Sequence, residues 1–316
     1  MQATSSRPKV FTWHIHGSYL YYLTQANCDF YVPKGEGPGY GGRAGTFPWG
    51  DNVHEVPEDE VKNLQLDCII YQSSHNYKED QFRTLSEAQR ALPKIYIEHD
   101  PPQEHPTNTK HYVDDPAVLL VHVTAFNNLM WDSNHTPTKV IDHGVIIPGN
   151  VQYSGELDKG IVVVNNLQKR GRRLGLDVFE ELRKDIPLDL VGMGSTEVGG
   201  LGEVSIVDLP AFNAKYRFFF NPIRYTSMGL AVCEAMQAGM PIIGLATTEM
   251  ATAIQNGVTG YVSNDYDELR HYMQLLLDNP EHAKELSKNA AAYAKERFGI
   301  ERFARDWEQT VHQVIA

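Results

Sequence analysis

The stretch at residues 230–246, LAVCEAMQAGMPIIGLA, constrains this chain more tightly than any other. An apolar helical run carrying one carboxylate, Glu234, meets Gly239, which readily takes the left-handed conformation past a helix end, and Pro241, which cannot continue a helix. A buried strand, PIIGLA, follows at once. Burying Glu234 unpaired would cost its hydration, so a polar group is expected to approach this helix from its start. That start lies in NPIRYTSMG, residues 221–229, where the turn Ser227-Met228-Gly229 has a glycine that lets a ligand come close to the backbone. Free amides and the helix dipole at such a start favour phosphate. The unit is a loop, a helix and a buried strand.

The same habit runs through the chain. KVFTWHI, DCIIYQ, KIYIEH and VLLVHVT read as strands between helical or loop stretches in the first half; IVVVNN, LDLVGMG, FFFNP and PIIGLA repeat the pattern in the second. Strands alternating with helices imply parallel sheets covered by helices. The expected fold is α/β, with two doubly wound Rossmann-like domains at 1–150 and 151–300. The seam is placed in IPGNVQYSGELDKG, residues 147–160, where glycines, a proline and polar residues interrupt the periodicity. Residues 33–50, PKGEGPGYGGRAGTFPWG, are too aperiodic for a core element and read either as a mobile acceptor loop or as a surface connection. The C-terminal region reads as amphipathic helices with Phe298, Phe303 and Trp307 on packing faces.

Composition narrows the function classes. With 316 residues there is enough chain for two ordinary cores, and a net charge of −12 argues against a general nucleic-acid surface. No apolar run approaches the roughly 20 residues needed to span a bilayer, and MQATSSRPKV lacks a signal-peptide core. Cys28, Cys68 and Cys233 sit in apolar contexts without zinc spacing, as expected of reduced thiols in a cytoplasmic protein.

The 221–262 block resembles the donor-binding segment of GT-B glycosyltransferases, the large retaining group 1 family that includes glycogen-synthase-like and mannosyltransferase-like enzymes. That family's pattern is Glu, seven residues, Glu, then Ala-Met-x-x-Gly-x-Pro. Glu234, Ala235, Met236, Gly239 and Pro241 match it, as do Gly229-Leu230 and the later NGVTGYV. Two positions depart. The family's first glutamate falls on Thr226, which keeps a hydroxyl but no charge, and its Gly-Gly loop falls on Thr248-Glu249, which either recognise the sugar or cap the next helix.

The resemblance implies a catalytic cleft between the domains and a last helix, 301–316, that crosses back onto the first. It implies a donor site of Gly17, Tyr225, Thr226, Ser227, Met228, Gly229, Leu230, Glu234, Thr248 and Glu249. A nucleotide-sugar transferase also needs cations for the departing diphosphate, and guanidinium groups offer fixed bidentate donors. VVVNNLQKRGRRLGLDVFEEL supplies Lys169, Arg170, Arg172 and Arg173, of which Arg170 and Arg173 are the expected pair, with a solvated charged face as the plain alternative. Asn165-Asn166 replace the family's Gly-Arg.

His99 closes the strand KIYIEH, where an open parallel sheet presents residues to a ligand. The family has a histidine there, facing donor sugar and acceptor. In HIHGSY, Gly17 is placed near the donor and His16, Ser18 and Tyr19 near an acceptor, although turn chemistry explains the same residues. His143, in a segment resembling the close of the family's first domain, is assigned a structural duty.

The implied activity is transfer of a hexosyl group from a nucleotide diphosphate sugar to a hydroxyl acceptor (glycan, glycolipid or small molecule), retaining and without a metal or other cofactor. Polysaccharide biosynthesis in the cytoplasm, with peripheral membrane association if the acceptor is lipid-linked, is the family-level expectation. The alternatives are an epimerase or hydrolase of the same fold, or a non-catalytic sugar-nucleotide binding subunit.

Overall fold

The computed structural model describes residues 7–316; the segment 1–6, part of the stretch read above as lacking a signal-peptide core, lies outside the described residues. The described chain divides into two units, 1–144 with 300–316, and 145–299. The division therefore falls at Gly144/Val145, ahead of the expected seam, whose last residues already belong to a strand.

The first unit holds a seven-stranded parallel sheet: β1 (Lys9–Thr12), β2 (Asp29–Lys34), β3 (Val53–Pro57), β4 (Cys68–Tyr71), β5 (Lys94–Glu98), β6 (Val118–His122) and β7 (Thr138–Val140), in the order β3-β2-β1-β4-β5-β6-β7. Chain order reverses direction between β1 and β4. In such sheets ligands settle outside the carboxyl ends of the strands at that reversal. The central strands are apolar on both faces because helices and loops cover both. One core packs Phe11 edge-on to Trp13 at 4.8 Å and Trp13 on Tyr71 at 5.6 Å. Helix α1 (Gly17–Leu23) follows β1.

The stretch 33–50 is not a loose connection. Its first two residues end β2, and Tyr40 is buried, its hydroxyl donating to Asp80 Oδ1 at 3.0 Å and bonded to Thr84 Oγ1 at 2.7 Å. Backbone bridges tie Gly39 to His14 and Gly41 to Lys34.

The second unit holds a five-stranded parallel sheet: β8 (Leu157–Val163), β9 (Leu188–Val191), β10 (Tyr216–Asn221), β11 (Ile242–Leu245) and β12 (Gly260–Ser263), in the order β12-β11-β10-β8-β9. Its reversal lies between β8 and β10. Helices α2 (Leu176–Leu182), α3 (Leu230–Gln237), α4 (Tyr266–Asp278) and α5 (Pro280–Arg297) surround it. The predicted stop of α3 is a Schellman motif: Gly239 has φ +85°, its N–H donates to Met236 O at 3.0 Å, and Met240 N–H donates to Ala235 O at 2.9 Å.

Helix α6 (Ile300–Ile315) belongs to the first unit. Phe303, Trp307 and Val311, spaced four apart, form its buried stripe, and the Phe303 ring meets Tyr19 edge-on at 5.7 Å. A Cβ on Gly144 would lie 2.2 Å from that of Phe303, so the glycine of DHGV is what lets α6 dock.

Candidate functional site

In the second unit, the loops after β8 and β10 flank the sheet's reversal and are stitched together. Arg224 N–H and Tyr225 N–H both donate to Arg173 O, at 3.1 and 3.2 Å, and Arg173 Nε donates back to Tyr225 O at 3.2 Å. The Arg173 side chain, predicted for diphosphate, is thereby held exposed beside the loop that leads into α3. Arg170 and Lys169 are also exposed. Arg172 instead pairs with Asp177.

Arg224 went unnoticed in the sequence. Its guanidinium grips Asp177, donates to Arg172 O at 2.7 Å and reaches Tyr266 Oη at 2.8 Å. Its hydrogen bonds hold the Asp177 carboxyl below the usual carboxylate range. Asn165 and Asn166 also have structural work: Met193 N–H donates to Asn165 Oδ1 at 2.9 Å, and Asn166 takes φ +53°, a conformation asparagine tolerates better than most residues.

Helix α3 starts at Gly229, which has φ −69° and supplies no side-chain cap. Glycine is therefore not needed here for an unusual backbone conformation. What glycine leaves here is room, since nothing lies within 4 Å of a Cβ built on it. Ser227 and Met228 are buried under the turn, while Tyr225, Thr226 and Leu230 are half-buried. Glu234 is half-buried as well, on the stripe it shares with Leu230, Ala231 and Gln237, opposite the buried Val232, Cys233, Ala235 and Met236. Side chains on a helix lean toward its N-terminus, so Glu234 overlooks the uncapped first turn.

After β11, Thr247 Oγ1 donates to Ile223 O at 3.1 Å, drawing this loop to the one after β10. Thr248 has φ +51°, so the backbone keeps a glycine-like conformation where the family has glycine. Glu249 is buried, bonded to Arg297 at 2.6 Å and Thr252 Oγ1 at 2.8 Å. Its carboxylate is turned into the protein, which corrects its assignment to sugar contact, and the helix Met250–Ala253 that starts here has no side-chain cap hydrogen bond, so the capping reading is corrected as well.

In the first unit, a cavity of about 460 Å³ opens at the carboxyl ends of β1, β4 and β5, lined among others by His16, Gln72, Lys78, Glu98, His99 and Trp131. It lies at the sheet's reversal. His99 is packed between His16 (ring centroids 4.2 Å apart) and Tyr19 (4.6 Å, edge-on), and its Nε2 is buried without a hydrogen-bond partner. Burial, with His16 and His143 adding, holds its pKa well below the ordinary histidine value, so the ring is neutral. A neutral imidazole offers a hydrogen bond to a ligand rather than a proton. His16 is exposed, and its pKa is lowered by desolvation against an opposing pull from Asp100.

Tyr19 does not face a ligand. It is buried between His99, His143 and Phe303 and backs the histidines, which corrects its placement among acceptor contacts. Gly17 opens α1, hemmed by the His14 and Phe47 rings, and Ser18 is half-buried. Among the described residues no cluster of three or more His, Cys, Asp or Glu suits a metal ion, and no helix is long and apolar enough to cross a membrane.

Residues 158–293 match the family profile described as glycosyl transferases group 1. No curated protein matches the sequence. Among solved structures, sucrose-phosphate synthase from Thermosynechococcus elongatus is similar at TM-score 0.68 and 14% identity, over 98% of this chain and 99% of that one. Anabaena HepE in complex with UDP is similar at TM-score 0.67 and 13% identity, over 97% and 100%. A glycosyltransferase from Rickettsia africae is similar at TM-score 0.68 and 12% identity, over 98% and 99%. At these identities the likeness shows the fold, which is the GT-B architecture of two Rossmann-like sheets.

Proposed function

We propose that the chain is a group 1 glycosyltransferase that moves a hexosyl group from a nucleoside diphosphate sugar to a hydroxyl acceptor with retention, a reading supported by the match of residues 158–293 to that family's profile. The observation that carries this reading is Glu234 set one turn inside the uncapped start of α3, at the reversal of the second sheet, where Arg173 is tethered. Glu234 accepts hydrogen bonds from ribose hydroxyls. The amides of the first turn of α3, with Arg170 and Arg173, hold the diphosphate and take up the charge that develops as the glycosyl bond breaks. No resident metal is called for, because these groups supply the positive charge.

The Anabaena relative is seen with UDP and with UDP-glucose, which supports a nucleotide-sugar donor. On the first unit, His16 and neutral His99 hydrogen-bond the reacting sugars. Cys28, Cys68 and Cys233 are buried and form no disulfide, which supports a reducing, cytoplasmic setting. The binding-subunit alternative rests on Thr226, and turnover separates the two.

The test is calorimetric titration of UDP, GDP, ADP and TDP into wild type and Glu234→Ala. One nucleotide is expected to bind, weakened by about 1.5–3 kcal/mol in the variant, the usual worth of hydrogen bonds to a charged group. A folded protein that binds none of them overturns the reading.

A further inference from the structure

We infer that Gln72 and Glu98 read the hydroxyls of a saccharide acceptor held in the first unit's cavity. The inference rests on the transferase reading for the word acceptor, and on the cavity's own chemistry for the word saccharide.

Gln72, just past the end of β4, is 3% exposed. Its Nε2 donates to Trp13 O at 2.9 Å and to Thr12 Oγ1 at 3.0 Å. A carbonyl only accepts, so the amide nitrogen is fixed on that side and Oε1 is turned away from it. Oε1 is buried with no partner in the protein, a state that costs about 1–3 kcal/mol unless something donates to it. Gln72 lines the cavity.

Glu98, at the end of β5, also lines it and is 9% exposed. Asp100 N–H donates to Oε1 at 2.9 Å, and His111 Nε2–H donates to Oε2 at 3.0 Å. Val113 N–H donates to His111 Nδ1 at 3.1 Å, which places the imidazole proton on Nε2. The carboxylate is thus locked in place with about half of its roughly four acceptor positions still unused.

Two rigid acceptors at one cavity call for a ligand rich in donors. Beside them stand the Tyr96, Tyr112 and Trp131 rings, apolar surfaces suited to the C–H faces of a sugar, with the Lys78 ammonium 4.4 Å above the Tyr112 ring. Trp131 is oriented by its Nε1–H bond to Asp100 O at 2.8 Å. A volume of about 460 Å³ falls in the range of about 300–1,000 Å³ common for small-ligand sites. An alkyl chain would leave both acceptors unsatisfied, whereas the hydroxyls of a sugar can donate to them.

Saturation-transfer NMR of wild type with a panel of mono- and disaccharides, their monodeoxy analogues and short alkyl alcohols tests this without any variant. At least one saccharide is expected to bind, and loss of one hydroxyl should weaken it tenfold or more. Gln72→Met and Glu98→Gln should each weaken the parent sugar similarly while leaving UDP binding unchanged, and should lose discrimination against the matching deoxy analogue. Absence of saccharide binding to wild type overturns the inference while UDP binding leaves the transferase reading standing. Equal sugar binding by wild type and both variants, or alcohols binding as well as sugars, also overturns it.

Discussion

The two sheets reverse direction in the same way and gather side chains at the same end, yet they do so with opposite physics. At the first sheet three of the groups, His99, Gln72 and Glu98, are half-buried to buried and already packed: His99 among rings, Gln72 and Glu98 clamped by backbone. At the second sheet the groups expected to meet ligand are exposed cations and a half-exposed carboxylate, while the buried Glu249 is paired with Arg297. Burial, more than residue type, therefore decides whether removing a polar group harms the fold or the reaction.

The sharpest break of this contrast is Arg297→Leu. It strips the guanidinium from buried Glu249 and should cost the second unit about 3–5 kcal/mol of stability, read by hydrogen exchange in β10 and β11. Arg173→Ala, at an exposed side chain, should leave stability within about 0.5 kcal/mol while raising the barrier to transfer by about 2.7–4 kcal/mol, seen as a loss in kcat. If Arg173→Ala turns over normally, the exposed cations are only a solvated face and the contrast collapses.

Acid should separate the units next. His122 is fully buried with neither ring nitrogen bonded, and burial, with His111 adding, lowers its pKa to about 3. Below about pH 6.5 the unfolded chain binds a proton that the folded one refuses, so stability falls as pH drops. From pH 6.5 to 5 this amounts to about 2 kcal/mol for His122. Trp13, Trp49, Trp131 and Trp307 all belong to the first unit, so tryptophan fluorescence follows that unit, and His122→Leu should flatten its acid profile. The smallest effect concerns Thr248. Replacing it with glycine relieves a left-handed β-branched residue and should raise stability by at most about 1 kcal/mol in thermal unfolding, with nucleotide binding retained.

What was legible beforehand follows the same division. Central strands such as β4 and β10 carry apolar runs, CIIY and FFF, and announced themselves. Strands β2, β3 and β7 escaped notice because they lie at or near an edge and alternate with polar residues, proline or lysine. Glu234 and Gly239 were readable because helix and stop are local. Gln72 and Glu98 were not: their meaning comes from Thr12 and Trp13, about sixty residues away, and from His111, thirteen away. Arg224 hid in a loop because its partner Asp177 lies 47 residues earlier.

The docking of α6 on the first unit bears on how the protein is made. A ribosome emits residues 145–299 before residues 300–316, so the second unit has its whole sequence while the first still lacks Phe303 and Trp307. The usual N-terminus-first order of domain folding is thereby inverted at its last step. Until α6 emerges, the nascent first unit shows Tyr19 and its neighbours to water, and that face is where a chaperone would be expected to hold it.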